Sequence, residues 1–234
     1  DEGLETAATI VVDVELEDLT PDGLAIKYSD LDAKEWKLSW DQSEYAKQYV
    51  VYYRTNNAWE NQYDNSRTFL VDQNSMRLHT FFENTPDTTY YYQVKAIYPD
   101  YRLGDINQLS EFESDNPEAI SNPSEEVAFL PAPKEIQLVN DLARPNPEEG
   151  EEQSFMEITW DAVSGADKYK VFWTRNDGLE QESEVDTNRF VHQEAYAVFE
   201  ETNLYHYRVL PVSEDGSNGR VSEASDYYAL AGRW

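Results

Sequence analysis

The feature that most constrains this chain is an aromatic pair that occurs twice at a fixed distance. Trp40 and Tyr49 lie within a stretch of alternating apolar residues, LSWDQSEYAKQYVVYYR. Trp160 and Tyr169 lie in a similar stretch, each of them 120 positions after its counterpart. A single match can arise by chance, but two matches at one offset indicate a duplicated structural unit. The sequence therefore predicts two similar domains.

The local pattern within each unit is that of β-strands. Short runs that alternate apolar and polar residues are rich in Tyr, Val, Thr and Ile, which favour strands over helices. Turn signals separate these runs at intervals of about 8 to 12 residues. One of them, Asn176-Asp177-Gly178, is predicted to close a β-hairpin. The pattern indicates an all-β fold with about seven strands in each unit.

The 234 residues divide into three predicted parts. Residues 22–130 form the first domain, residues 131–234 form the second, and residues 1–21 carry an additional strand before both. The junction reads Leu130-Pro131-Ala132-Pro133. Two prolines so close together disfavour both a helix and a strand ladder. We therefore expect a short, stiff junction that holds the two domains near an extended arrangement.

Both copies resemble fibronectin type III domains. That family has an apolar-x-Trp pattern on its second strand, Tyr-x-Val-x-aromatic on its third and Tyr-x-aromatic-x-Val on its sixth. The matching residues are Leu38-x-Trp40, Tyr49-x-Val51-x-Tyr53 and Tyr90-x-Tyr92-x-Val94 in the first copy, and Ile158-x-Trp160, Tyr169-x-Val171-x-Trp173 and Tyr205-x-Tyr207-x-Val209 in the second.

The resemblance covers roughly residues 22–234. It implies two immunoglobulin-like (fibronectin type III) β-sandwiches in tandem, with an extra N-terminal strand. It also implies a core tryptophan in each domain and a tyrosine hydroxyl that bonds the backbone at the corner before the sixth strand. The segments Ser121–Ser124 and Ser222–Ser225 resemble the polar approach to the last strand of the family. This fold serves as spacer, adhesin and receptor module alike, so it says little about function.

The charge of the chain excludes several partners. Its 18 basic and 47 acidic residues give a net charge of −29. Residues 1–130 hold 26 acidic and 9 basic residues (−17) and residues 131–234 hold 21 and 9 (−12), so both domains are acidic. Such a surface repels nucleic acid and anionic lipid. Three interpretations stay open: a solvated surface, Ca²⁺ binding, or a cationic partner.

No pattern in the sequence indicates an enzyme. The chain has no cysteine, which excludes disulfides, thiolate metal sites and cysteine nucleophiles. The Gly-x-Ser-x-Gly and His-Glu-x-x-His motifs are absent. His192 and His206 could face each other across strands, but a structural role is favoured. No apolar run approaches the roughly 20 residues of a membrane helix. We expect a non-enzymatic protein without an essential cofactor.

Residues 98–120 are the first candidate binding segment. They are acidic, have no clear period and are longer than most connections between strands, so the sequence predicts a functional or mobile loop. Carboxylates are the ligands that Ca²⁺ prefers, but their spacing here is not that of an EF-hand, which favours a solvated loop. The candidate Ca²⁺ ligands are Asp100, Asp105, Glu111, Glu113 and Asp115.

The second and third candidates are an N-terminal strand and a polar loop. An alternating strand before a complete sandwich could add to an edge of its own domain, or to the next subunit and so build a fibre. The loop at residues 56–66 carries two aromatic residues that could pack on the domain, contact a partner or stack on a sugar. The candidate partner contacts are Ile10, Val12, Val14 and Leu16 in the strand, and Trp59 and Tyr63 in the loop.

The sequence therefore predicts a non-enzymatic extracellular or cell-surface protein that acts in adhesion or as a structural protein. Its more specific form is a subunit of a surface filament assembled by N-terminal strand addition. The alternative is an accessory spacer or carbohydrate-binding module of a larger secreted enzyme. The expected partner is another protein or a second copy of the chain, with carbohydrate as a further candidate and neither nucleic acid nor membrane insertion expected.

Overall fold

The computed structural model describes residues 19–42, 45–55, 67–78, 87–142, 155–193, 195 and 202–231. Within these ranges the chain forms fourteen β-strands. Those of the first domain are β1 (Ala25–Asp30), β2 (Glu35–Ser39), β3 (Gln48–Arg54), β4 (Thr68–Val71), β5 (Ser75–Leu78), β6 (Tyr90–Ile97) and β7 (Val127–Phe129). Those of the second are β8 (Gln137–Leu142), β9 (Phe155–Thr159), β10 (Ala166–Arg175), β11 (Gln181–Val185), β12 (Arg189–His192), β13 (Thr202–Ser213) and β14 (Tyr228–Ala231).

Each domain combines a three-stranded sheet with a four-stranded sheet, in the same strand order. The first domain has the orders β1-β2-β5 and β4-β3-β6-β7, and the second has β8-β9-β12 and β11-β10-β13-β14. Neighbouring strands run antiparallel throughout. This duplicated order confirms two fibronectin type III-like β-sandwiches in tandem. The predicted extra N-terminal strand falls on residues 1–18, outside the described residues.

The repeated aromatic pair occupies the same place in both cores. The rings of Trp40 and Tyr49 meet edge to face at 5.2 Å and 69°, and those of Trp160 and Tyr169 at 5.3 Å and 70°. All four residues are buried. Edge-to-face pairs add about 0.5–1.5 kcal/mol to the stabilisation from burial. These aromatic residues are therefore scaffold, as their recurrence in the sequence indicates.

Two serines lead the chain into the last strand of each domain. Ser121 and Ser124 each accept a hydrogen bond on Oγ from a backbone N–H of β6, at 2.9 and 3.0 Å. Ser222 and Ser225 do the same for β13, at 2.9 and 3.0 Å. Each serine hydroxyl thus replaces one strand-to-strand bond where the backbone is irregular, which explains the polar sequence there. The residues before the predicted tyrosine corners, 79–86 and 196–201, lie outside the described residues.

The hairpin turn between β10 and β11 also has the predicted geometry. Asn176 and Asp177 adopt positive φ angles of 49° and 55°. Gly178 N donates to the carbonyl of Arg175 at 2.9 Å. Two consecutive residues with positive φ define the tight turn that matches the twist of paired strands.

The prediction of a solvated loop at residues 98–120 is wrong, whereas that of a functional or mobile segment stays a prediction. This segment contains a helix α1 (Leu109–Asp115) between two short 3-10 helices, Ile106–Gln108 and Pro117–Ala119. Its apolar residues pack on the outer face of the four-stranded sheet in one buried cluster. In the sequence these apolar residues recur at every third position, but acidic residues between them hide this spacing. The members of this cluster include Leu103, Ile106, Leu109 and Phe112 from the segment and Val50, Tyr52 and Ile97 from the sheet.

The two described histidines lie on different faces and do not meet. His192 is buried in the second core, with its ring 4.0 Å from that of Trp173 and its Nδ1 2.9 Å from the Tyr207 hydroxyl. Burial lowers the pKa of His192 to about 4. His206 lies on the outer face, with its Nε2 2.9 Å from Thr174 Oγ1. The structural role favoured for these histidines thus holds for His192.

The buried His192 makes stability depend on pH. Its folded pKa of about 4 lies below the unfolded value of about 6.5, so its contribution is fully present above pH 6.5. That contribution is lost as the pH falls towards 4, at up to about 1.4 kcal/mol per pH unit. Urea denaturation from pH 8 to 4 should show a steeper loss for the wild type than for His192→Gln. Equal slopes for the two proteins would contradict this account.

The packing of α1 gives a second test. Leu109 is completely buried between the helix and the sheet. Leu109→Ala is expected to lower the free energy of unfolding by about 2–5 kcal/mol, through lost burial and a residual cavity. Glu111→Ala, on the exposed side of the same helix turn, should change it by less than about 0.5 kcal/mol. Chemical denaturation checks both values, and a mobile segment would show equal, small effects.

Candidate functional site at the contact between the sandwiches

The outer edge of β1 lies against a loop of the second sandwich. This loop runs from Ser213, the last residue of β13, to Val221 and is called the capping loop below. Ile26 N donates to Ser217 Oγ at 3.1 Å, and Tyr28 N donates to Asn218 Oδ1 at 3.4 Å. In return Asn218 N donates to the Ile26 carbonyl at 2.7 Å. Because β1 is the end strand of its sheet, these groups would otherwise form an open edge.

An apolar contact runs beside these hydrogen bonds. The ring of Tyr28 meets that of Phe172 edge to face at 5.9 Å and 90°. Phe172 and Leu210 point out of the second sandwich, yet they are only 3% and 0% exposed. They belong, with Val212 and Val221, to the same buried cluster as the first core. The apolar core of the first domain therefore continues across the contact.

Trp36 and Gly219 bring the two backbones close together. The Trp36 indole Nε1 donates to the Gly219 carbonyl at 2.9 Å, and the tryptophan is buried. A Cβ at position 219 would lie 2.7 Å from Pro211 Cγ and 2.9 Å from Leu130 Cβ. Such distances leave no room for a side chain, so the close approach requires glycine.

Arg220 ties the capping loop to the end of the first domain. Its backbone N donates to the Leu130 carbonyl at 3.0 Å, and its guanidinium donates to the Thr88 carbonyl at 2.6 Å. The guanidinium carbon also lies 5.9 Å from the centroid of the Phe129 ring. Burial lowers the pKa of Arg220, although arginine stays charged at neutral pH.

Charged side chains surround the contact at its rim. Arg208 donates to both carboxylate oxygens of Glu180 at 2.6 and 2.7 Å, and to Asp32 of the first domain at 2.8 Å. The carboxylate of Asp32, which crosses the contact, is 88% exposed, and exposed pairs contribute about 0–1 kcal/mol each. The rim therefore fixes the register of the contact more than its strength. Two further pairs across the rim are Lys34 with Glu223 and Lys134 with Asp87.

These contacts correct the prediction of an extended arrangement. A simple end-to-end arrangement would leave β1 free, whereas here β1 packs sideways on the second sandwich. The physical reason is that the outer face of the second sandwich is apolar around Phe172 and Leu210. Burying this face against the first domain removes it from water. The stiff Pro131-Ala132-Pro133 junction permits this placement, because the Leu130 carbonyl is held by the capping loop itself.

Glu113, one of the five candidate Ca²⁺ ligands, is occupied inside the first domain. Its carboxylate accepts from Lys95 Nζ at 2.8 Å and from the Tyr52 hydroxyl at 2.9 Å. The side chains of Glu113 and Lys95 are only 7% and 14% exposed. A buried pair of this kind fixes α1 on the sheet and neutralises the charge that a cation would need.

The other four candidate ligands are spread along the segment. Asp105 caps the first 3-10 helix by accepting from Asn107 N at 2.9 Å. Asp100 lies in the turn after β6, Glu111 in the first turn of α1, and Asp115 at the end of α1. Among the described residues, no three His, Cys, Asp or Glu side chains are placed to hold a metal ion. The structure does not bring these five together, and Ca²⁺ binding here stays a sequence-based prediction.

The remaining candidate contacts cannot be placed. Ile10, Val12, Val14 and Leu16 fall within residues 1–18, and Trp59 and Tyr63 within residues 56–66. Both ranges lie outside the described residues. Their roles as partner contacts therefore stay predictions.

Sequence reasoning missed the contact between the sandwiches, although one signal was present. Phe172 stands between Lys170 and Thr174, at positions that alternation directs away from the core. A large apolar residue on an otherwise polar face indicates a covering partner. In the sequence, the capping loop shows only the pattern of a turn. The hydrogen bonds of Ser217 and Asn218 were not predictable, because they depend on where β1 lies in the folded chain.

Comparisons with known proteins find similarity among solved structures only. No family model matches the chain, and no curated protein matches it. The FN1–FN3 domains of chicken CNTN1 are similar at 13% identity and a TM-score of 0.37, over 92% of this chain and 67% of that chain. A two-domain fibronectin type III segment of chicken tenascin is similar at 13% identity and a TM-score of 0.31, over 90% of this chain and 98% of that chain. The fold assignment rests on the strand order and the paired cores.

The helices of the described residues are short, and the longest of them, α1, has 7 residues. None of the helices in this part of the chain is both long enough and apolar enough to cross a bilayer.

The hydrogen bond of Trp36 across the contact can be tested against a second core tryptophan. Trp36→Phe removes the donor to the buried Gly219 carbonyl, whereas Nε1 of the equally buried Trp40 has no partner among the described residues. Trp36→Phe should therefore lower the free energy of unfolding by about 1–3 kcal/mol more than Trp40→Phe, the cost of an unpaired buried group. Urea denaturation of both variants measures the difference. Equal losses would show that the bond does not stabilise the contact.

Proposed function

We propose that this chain is a non-enzymatic adhesion or structural protein, outside the cell or on its surface, whose two sandwiches act as one stiff unit. The observation that carries the proposal is the contact of β1 with the second sandwich. Tandem domains usually move about their linker unless their interface is extensive and apolar. Here a shared apolar cluster, backbone hydrogen bonds and a glycine-dependent close approach act together.

A stiff two-domain unit suits a role in which force is transmitted, and the positions of the domains stay fixed, along an assembly of molecules. Relative motion of the domains would require breaking the Trp36–Gly219 bond and exposing Phe172 and Leu210. The acidic surface supports the same role, because a net charge of −29 opposes non-specific aggregation. Cationic surfaces, or a second copy where salt screens the repulsion, are the partners that this charge favours.

The more specific form of the proposal is a filament subunit assembled by N-terminal strand addition. An incoming strand adds its backbone hydrogen bonds to an open sheet edge. The edge of β1 is already occupied by the capping loop, so the donor strand would use another edge. β7 (Val127–Phe129) is such an end strand of the four-stranded sheet.

Removing the N-terminal strand tests the filament proposal. The full chain is expected to form oligomers or filaments in negative-stain electron microscopy and sedimentation velocity. A chain that starts at Asp22 is expected to be monomeric, because it lacks the donor strand. Replacing Ile10, Val12, Val14 and Leu16 together by Thr should have the same effect, since the apolar face of the strand is lost.

A matched control changes the other face of the same strand. Asp13→Asn with Glu15→Gln keeps the four apolar residues and should keep assembly. If the full chain and the chain starting at Asp22 are equally monomeric or equally polymeric, strand addition is refuted. The stiff two-domain unit would remain, since the hydrogen bonds of the contact, from β1 and Trp36 to Leu130 and the capping loop, all come from residues after Asp22.

A further inference from the structure

We propose that a groove beside the last strand of the second domain is a docking site for an extended, basic peptide segment of a partner protein. This groove, called the junction groove below, lies between residues 132–136, which precede β8, and residues 221–226, which precede β14. Its volume of about 520 Å³ lies within the range of about 300–1,000 Å³ that is usual for binding sites. Its lining includes the buried apolar residues Pro133 and Val221. The peptide would bind by adding a strand to a sheet edge.

One wall of the junction groove is an unpaired edge of the four-stranded sheet. In this wall, Ser222 and Ser225 donate their backbone N–H groups to β13, each at 2.8 Å. The backbone N–H groups of Glu223, Ala224 and Asp226 donate to no residue that the structure describes, and all three residues are exposed. This wall is therefore bonded to its own sheet on one side only. Its other side is open to an added strand, which would supply the missing acceptors.

The other wall is fixed in place before a ligand binds. The Lys134 carbonyl accepts from Asp161 N at 2.9 Å. The Ile136 carbonyl accepts from the Tyr228 hydroxyl at 2.8 Å. These bonds hold the wall against the second domain, while the backbone N–H groups of Lys134, Glu135 and Ile136 donate to no described residue. A wall that needs no rearrangement saves the entropy that a mobile loop would lose on binding.

A glutamate in this second wall occupies a backbone position that favours glycine. Glu135 has a φ of 54°, and Gly23, with a φ of 63°, is its equivalent in the first domain. The two are equivalent because the carbonyl of the preceding residue accepts, in both domains, from the N–H of the aspartate after the core tryptophan. Glycine makes this bend without strain, whereas a residue with a side chain is disfavoured there, and such strain is concentrated at binding sites. One carboxylate oxygen of Glu135 accepts from Gln137 Nε2 at 3.3 Å, and the other is available to a ligand in the groove.

The charges at the junction groove favour a basic ligand. Among the described residues, its lining holds three acidic residues and one basic residue, Lys134, which is paired with Asp87. Two of the acidic residues, Glu135 and Asp226, form no ion pair with any residue that the structure describes. Lysine or arginine side chains of an added strand would pair with these carboxylates. The N-terminal strand of a second copy is a poor ligand, because residues 1–18 contain seven acidic residues and no basic one.

Fluorescence anisotropy of a labelled octapeptide of alternating lysine and valine tests the site in the full chain. At an ionic strength of about 0.15 M, where the Debye length is about 8 Å, the chain is expected to bind this peptide at a single site. An octapeptide of alternating glutamate and valine should bind at least about tenfold more weakly, because it brings like charges to the groove. The lysine and valine peptide with proline in place of its two central valines keeps its charge but loses two backbone donors. It should also bind at least about tenfold more weakly.

Two charge-reversal variants locate the site. Asp226→Lys places a positive charge at the groove and should weaken binding of the lysine and valine peptide by about tenfold or more. The matched control Asp186→Lys makes the same change of net charge in the turn between β11 and β12, at the opposite lateral edge of the sandwich. It should weaken binding by less than about twofold. Equal effects of the two variants would show non-specific attraction to an acidic surface and would overturn the site.

The variant Glu135→Gly separates binding from stability. Glycine suits the positive φ, so the urea midpoint should equal or exceed that of the wild type, whereas peptide binding should weaken by about fivefold or more. Wild-type affinity in this variant would overturn the role of the Glu135 carboxylate, and equal affinity for the proline-containing peptide would overturn strand addition at the groove. Chains that start at Asp22 should bind the peptide as the full chain does. Binding at least about tenfold tighter in those chains would assign the groove to the N-terminal strand instead of a basic partner.

Discussion

The burial of Phe172 and Leu210 is the interaction on which the arrangement of this protein depends. Both residues point away from their own core, and each is covered only because the first domain packs there. Burying one such side chain contributes about 1.5–3 kcal/mol, more than an exposed ion pair of about 0–1 kcal/mol. The apolar contact therefore supplies most of the stability. The hydrogen bonds of β1 and the charges of Arg208 and Lys34 decide which register that contact adopts.

The two domains solve the same problem of an apolar outer face in different ways. Tyr52 in the first domain and Phe172 in the second lie 120 residues apart, at equivalent positions of the repeat. Tyr52 is covered by the segment 98–120 of its own domain, through α1 and the buried Glu113. The described residues of the second domain contain no such helix, and Phe172 is covered by the neighbouring domain instead. The helical segment of the first domain and the interdomain contact of the second thus have the same cause. Each buries an apolar residue at the same outward-facing position of the repeat.

The sequence was sufficient to predict the sandwiches because their cores follow local rules. Alternation and the pairing of Trp40 with Tyr49 depend on residues close in sequence, and they recur in the second copy. The helix α1 was not predictable in the same way, since the acidic residues around Leu109 hide its apolar face until a sheet is placed beneath it. The contact of Tyr28 with Phe172 joins residues far apart in sequence, and only the folded chain shows which surfaces meet. The N-terminal strand and Trp59, the strongest sequence-based candidates for partner contact, lie in residues that the structure does not describe.

The distribution of charge explains why such a contact holds between two acidic domains. Residues 22–130 and 131–234 carry net charges of −10 and −12, so the two domains repel each other. Among the described residues, six basic side chains reach across or line the contact and offset this repulsion locally: Lys27, Lys34, Lys134, Lys170, Arg208 and Arg220. At physiological ionic strength the Debye length is about 8 Å, which screens the remaining acidic surface but not a buried group such as Arg220. The protein can therefore combine strong repulsion between molecules with a firm contact inside one molecule.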